Sequence, residues 1–156
     1  VRETLFNWLQ AEIPGAQVLD LFAGSGALGF EAASRGAARV DLVDTAPAVA
    51  ASLRATAARL GRDGAKVEVQ VHEQSALAFL AAAEGRRWNL VFVDPPFSGG
   101  LWASSLVALS PCLAARAWVY LETPIGAVVP LPSDWVLHRE QSTPQLRAAL
   151  YRVGMD

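Results

Sequence analysis

The 156-residue sequence contains one cysteine, Cys112, one lysine, Lys66, and two histidines, His72 and His138. A lone cysteine excludes an internal disulfide and supplies no thiolate cluster, so Cys112 is expected to fill core space in a reducing compartment. The two histidines stand far apart without ligand spacing, and no metal site is expected. No apolar run approaches the roughly 20 residues of a membrane-spanning helix. No signal-peptide pattern opens the sequence either, so a cytoplasmic protein with no membrane partner is expected. Charge is sparse as well, at 18% of residues with a net of −2. That balance argues against the broad basic footprint of many nucleic-acid binders. The cations that remain are almost all arginine, whose planar fork suits phosphate. The sequence opens at Val1 rather than Met, directly inside a helical pattern. A preceding segment able to carry positive charge is therefore expected.

What the sequence does have is apolar content, 53% of residues, enough for one domain spanning 1–156 with a sizeable core. Val1 to Ile13 reads as an amphipathic helix with Leu5, Trp8, Leu9 and Ile13 on one side, ended by Pro14-Gly15. Gln17 to Phe22 is an apolar strand, and a glycine-rich turn leads into a helix running to about Arg35. Arg39 to Asp44 is a second strand, and Pro47 to about Leu60 a second long helix with proline suited to its first turn. Lys66 to Val71 forms a third strand, and Ser75 is positioned to cap a helix over Ala76 to Ala83. Leu90 to Val93 is the fourth strand, Leu101 to Leu109 a helix, and Ala117 to Leu121 the fifth strand. Trp135 to Glu140 and Leu146 to Val153 form a closing hairpin around Thr143-Pro144. Strands alternating with helices and ending in a strand pair predict an α/β, doubly wound sheet.

The most informative stretch is Asn89-Leu90-Val91-Phe92-Val93-Asp94-Pro95-Pro96-Phe97. A strand buried on both faces breaks into Asp-Pro-Pro-Phe, and Pro95 holds Asp94 extended. A carboxylate, a rigid turn and an aromatic ring thus meet at the carboxyl end of a strand, the edge where open α/β sheets bind ligands. The exocyclic amino group of a nucleobase is a poor nucleophile because its lone pair is delocalised. The Asp94 carboxylate and the Pro95 carbonyl could each accept one of its N–H bonds and free that lone pair towards a methyl electrophile. Phe97 could stack on the base. A plain proline-rich turn, with Asp94 only capping the loop, is the other reading of these residues.

Gly24-Ser25-Gly26-Ala27-Leu28-Gly29 matches G-x-G-x-x-G between a strand and a helix. The pattern serves a dinucleotide, S-adenosylmethionine (SAM), or simply tight strand-helix packing. Asp44 closes the second strand about 20 residues on, where a carboxylate can accept both hydroxyls of a ribose. Asp20-Leu21-Phe22-Ala23-Gly24-Ser25-Gly26 resembles the first motif of SAM-dependent methyltransferases, and Asp94-Pro95-Pro96-Phe97 resembles the signature of their amino-group branch.

Three stretches, Val1 to Leu9, Leu19 to Gly29 and Val91 to Phe97, together with Trp135 to Glu140, closely resemble the RsmD family of bacterial small-subunit (16S) rRNA guanine-N2 methyltransferases. The resemblance implies a seven-stranded, Rossmann-like class I methyltransferase sheet in the order 3-2-1-4-5-7-6 with strand 7 antiparallel. It implies SAM held by Asp20, Phe22, Ala23, Gly24, Ser25, Gly26, Asp44 and Ser75, with Asp20 towards the methionine amino end and Ser75 reading the adenine amino group. It implies catalysis through Asp94, Pro95, Pro96 and Phe97, with Arg2 and Phe97 touching substrate. The implied partner is 16S rRNA in a partly assembled small ribosomal subunit, met by a monomer whose basic N-terminal arm would precede Val1. The same tetrapeptide chemistry leaves adenine-N6 or cytosine-N4 methylation of DNA or RNA as an alternative. A non-catalytic RNA-binding assembly factor is a further one.

Overall fold

The computed structural model describes residues 2–83, 85–95 and 101–154. Seven strands form one sheet: β1 (Gln17–Asp20), β2 (Arg39–Asp44), β3 (Glu68–Glu73), β4 (Trp88–Val93), β5 (Leu113–Pro124), β6 (Trp135–Ser142) and β7 (Leu146–Val153). Their order is β3-β2-β1-β4-β5-β7-β6. The first five pair in parallel, and β7 runs antiparallel between β5 and β6. This is the order implied by the family resemblance.

Among the described residues five α-helices flank the sheet: α1 (Arg2–Trp8), α2 (Ala27–Ser34), α3 (Pro47–Arg62), α4 (Ala76–Ala82) and α5 (Leu101–Leu109). The period-two alternation of the strands sorts the core into two layers. Val18, Leu90, Phe92, Tyr120 and Leu150 pack with Leu5 and Phe6 of α1, Ala32 of α2 and Leu53 of α3. Leu19, Val91, Val93, Val119, Leu121 and Tyr151 face the other way, against Phe79 and Leu80 of α4 and Leu106 and Leu109 of α5. Central strands buried on both faces read as continuous apolar runs, as the Leu90 to Val93 stretch does.

Several boundaries differ from the sequence expectation. Helix α1 stops at Trp8 rather than Ile13. Pro14 lacks a donor and disfavours helical backbone before it, so residues 9–13 tighten into turns closed by bonds such as Glu12 N–H to Leu9 C=O at 2.8 Å. Leu9 and Ile13 remain fully buried regardless. Strand β5 runs well past the expected Ala117 to Leu121 because β7 pairs with it from Ala117 to Pro124. Strand β3 sits two residues further on than expected. It lies at the edge, where its half-exposed side chains fix the limits weakly.

Candidate active site at the carboxyl edge of the sheet

The chain leaves β1 for β2 on one side and returns to β4 on the other, so the sheet order reverses between β1 and β4. A crevice opens there at the carboxyl ends of the strands. The segment after β1 is threaded through it by two bonds. Leu21 donates its N–H to the Phe92 carbonyl at 3.1 Å, and Ala23 to the Val43 carbonyl at 2.9 Å. Gly24 and Gly26 then turn the backbone at φ of 54° and 80°, which L side chains resist. Among the described residues no atom beyond its chain neighbours lies within 4 Å of where a Cβ on Gly24 would stand, so open space lies there. Gly29 serves packing instead. A Cβ on it would meet Leu42 at 2.4 Å, so its absence lets α2 settle on β2.

The cavity above this turn has a volume of about 590 Å³. Phe22 to Ser25 form one wall, Asp44 and Thr45 another, Gln74 to Leu77 at the start of α4 a third, and Asp94, Pro95 and Ser105 of α5 close it. Its charged lining is acidic. Among the described residues no arginine, lysine or histidine lines it, and no cluster of potential metal ligands occurs.

Asp44 is held by backbone on both oxygens: Oδ2 accepts the Gly24 N–H and Oδ1 the Ala46 N–H, each at 3.0 Å. An ionised carboxylate offers about four acceptor positions, so two remain for a ligand. Asp94 is pushed up to about 6 by burial, with the Glu122 charge adding to the effect. Glu122 is fixed by the Tyr120 hydroxyl, which donates to it at 2.9 Å. Asp20 is 2% exposed and accepts the Gly29 N–H at 3.1 Å. Burial pushes it up to about 7, against the bond from Gly29 and with the charges of Asp94 and Asp44 contributing.

Of the residues singled out in the sequence, Phe22, Ala23, Gly24, Ser25, Asp44, Ser75, Asp94 and Pro95 come together in this lining. Gly26 shapes the turn from behind, and Asp20 lies outside the lining, bonded to the first turn of α2. Arg2 is exposed at the start of α1 and lies outside it too. Pro96 and Phe97 fall outside the described residues. Ser75 does cap α4, its hydroxyl accepting the Ala78 N–H at 3.1 Å. Thr45, Gln74, Leu77 and Ser105 line the cavity without having been foreseen. Thr45 and Gln74 could have been found as neighbours of Asp44 and Ser75. Ser105, inside an apolar helix, carried no signal.

The family model described as conserved hypothetical protein 95 matches residues 1–152. Ribosomal RNA small subunit methyltransferase D of Escherichia coli (strain K12) is 43% identical over 155 residues, covering 97% of this chain and 76% of that protein. The Haemophilus influenzae protein of the same name is 37% identical over 97% of this chain and 79% of its own length. The solved structure of the Escherichia coli protein yhhF superposes with a TM-score of 0.89 at 42% identity, over 97% of this chain and 84% of that one. At 18% identity the fold is still shared with magnesium protoporphyrin IX methyltransferase from Synechocystis, solved with bound SAM (TM-score 0.71; 97% and 77% covered).

Proposed function

This chain belongs to the conserved hypothetical protein 95 family, and from that premise we propose that it is a SAM-dependent rRNA methyltransferase acting on the exocyclic N2 amino group of a guanine in 16S rRNA. The relatives named ribosomal RNA small subunit methyltransferase D support the substrate class. The proposal takes residues 1–156 as a single catalytic domain acting as a monomer on a partly assembled small subunit.

The donor set of the cavity fits SAM. Asp44 keeps two acceptor positions for the ribose hydroxyls. The backbone of Gly24 and Ser25 leaves space for close approach beside it. Gln74 to Leu77 border the adenine end, while Asp20 supports the turn from below through Gly29. An acidic lining without a basic residue among those described suits a cation better than an anion. When bound, SAM supplies an electrophilic methyl carbon on a positively charged sulfur.

The observation that carries the reading is that Asp94 and Pro95 share a cavity with Asp44 and the glycine turn. In it, the Asp94 carboxylate and the Pro95 carbonyl accept the two N–H bonds of the target amino group. Phe97 stacks on the guanine. With SAM bound, the nitrogen lone pair would take the methyl carbon, the electrons of the S–C bond staying on sulfur. The surplus proton leaves nitrogen, and Asp94, pushed up to about 6, can take it and pass it to water. The target base must be unstacked to reach Asp94, at least cost in a single-stranded loop of RNA. Arg2, exposed at the first turn of α1, is proposed to meet the RNA backbone.

The test is nucleoside mass spectrometry of 16S rRNA and of partly assembled small subunits incubated with labelled SAM. Label in N2-methylguanosine, lost with Asp94→Ala, is the expected result. Label in N6-methyladenosine or N4-methylcytidine would reassign the base. An unlabelled substrate whose assembly is nonetheless promoted would point to an RNA-binding factor instead.

A further inference from the structure

Two half-buried hydroxyls on the helices of this protein find a backbone partner one turn away. Ser110 donates to the Leu106 carbonyl at 3.2 Å, and Thr56 to the Ser52 carbonyl at 3.2 Å. Ser105 does not. It is 0% exposed, its Oγ has no hydrogen-bond partner among the described residues, and it lines the cavity together with the start of α4. On the buried stripe of α5 it is the polar member, beside Leu106 and Leu109, which enter the core. A polar atom left unpaired in a closed site is costly unless something that binds there completes it.

The occupant follows from the surrounding residues. Ser105 shares the cavity with Ser75, Ala76 and Leu77, where the cofactor reading puts the adenine. Ser75, the residue the sequence suggested for reading the base, accepts the Ala78 N–H, which orients its hydroxyl and leaves its O–H and one lone pair. The hydroxyl of this lining that is buried without any partner among the described residues is that of Ser105. It can donate or accept, as the edge of a purine requires with its ring nitrogens and amino group.

We infer that Ser105 is a positioning and specificity residue for the adenine ring of the cofactor, its hydroxyl hydrogen-bonding to the heterocycle's edge. The inference rests on the proposed binding of SAM in this cavity.

The experiment compares the parent chain, Ser105→Ala, Ser105→Cys and Ser75→Ala by calorimetric titration with S-adenosylhomocysteine and by thermal unfolding without ligand. Ser105→Ala is expected to weaken binding about tenfold, the scale of one lost hydrogen bond. Its unliganded melting temperature should be unchanged or higher, because the unpaired hydroxyl is gone. Ser105→Cys, close in size but a weak donor, should bind weakly too. Ser75→Ala should lower the unliganded melting temperature through the lost cap. Analogues of the ligand that lack the exocyclic amino group or one ring nitrogen supply the second arm. One of them should bind the parent and Ser105→Ala alike, because the contact it lacks is the one the variant has already lost. A parent that binds S-adenosylhomocysteine while Ser105→Ala binds equally well would overturn this inference and leave the cofactor reading standing. Destabilised unliganded Ser105→Ala, or a defect confined to RNA, would also overturn it. Failure of the parent to bind would remove the cofactor reading itself.

Discussion

One carboxylate oxygen of Asp44 accepts the backbone N–H of Gly24 at 3.0 Å, joining the end of β2 to the glycine turn that follows β1. The other oxygen accepts the Ala46 N–H, so the side chain is oriented before any ligand arrives. Preorganisation of this kind lowers the entropic cost of binding.

Asp44→Ala should therefore weaken S-adenosylhomocysteine binding by about 1–3 kcal/mol, through loss of ribose contacts and of the anchored turn. Titration calorimetry checks it. A variant that binds as tightly as the parent would show that Asp44 does not hold the ribose.

Methyl transfer should rise with pH through about 6 and level off above it. Asp94 offers its target N–H a charged acceptor, and can take up the surplus proton, only when ionised, and burial together with Glu122 raises its carboxyl to about 6. Glu122→Gln removes the repelling charge while keeping an acceptor for the Tyr120 hydroxyl. It should move the acid limb to lower pH, though burial keeps the limb above the ordinary carboxylate range. Asp94→Asn should abolish the limb and slow transfer by roughly 10²-fold, the scale of one lost preorganised contact. Single-turnover rates from pH 5 to 8 at saturating SAM distinguish these outcomes.

Stability should depend on Asp41, which is fully buried in β2. It accepts bonds from His72 at 2.8 Å, from Arg39 at 3.0 Å and from the Trp88 indole at 3.0 Å. Burial alone would raise its carboxyl, but the bonds from His72, Arg39 and Trp88 outweigh it and hold the group well below the usual range. The sign follows from that depression. The stabilisation is fully present above the unfolded value of roughly 3.9 and is lost as pH falls through the lower folded value. Asp41→Ala should cost about 1–3 kcal/mol at pH 7, since it strands the buried Trp88 indole donor and leaves Arg39 with Glu68 alone. Urea unfolding measures it, and a loss under 1 kcal/mol would contradict this account.

Asp20 should behave in the opposite sense. Its carboxyl is raised to about 7, chiefly by burial, so folding takes up a proton. The cost grows as pH climbs from roughly 4 towards 7 and is constant above. Asp20→Asn keeps an acceptor for the Gly29 N–H and removes the charge. It should stabilise the unliganded protein on the order of 2–4 kcal/mol at pH 8, with the gain gone near pH 4. Paired urea titrations at the two pH values read this directly; an equal gain at both would exclude the titration as its cause.

Much of this molecule follows from residues close together in the chain. The apolar run ending at Asp94-Pro95 announces a buried strand and a rigid turn. The glycines at 24 and 26 demand a turn that L side chains resist, and strand alternation sorts the two core faces. Arg39–Asp44 and Leu101–Leu109 have the limits their patterns predict. These are local matters of backbone freedom, donor loss at proline and side-chain period, and a sequence carries them openly. The fate of each polar side chain is another matter, because it depends on partners brought from distant segments. Asp41 looks like any strand acid until His72 and Trp88 reach it, 31 and 47 residues away. Ser75 and Ser105 are alike as letters, yet folding gives one hydroxyl a backbone donor and leaves the other unpaired at the cavity wall. The tertiary structure decides such cases because the energy of a buried polar atom is set by what lies within about 3 Å of it, and chain order does not specify that distance.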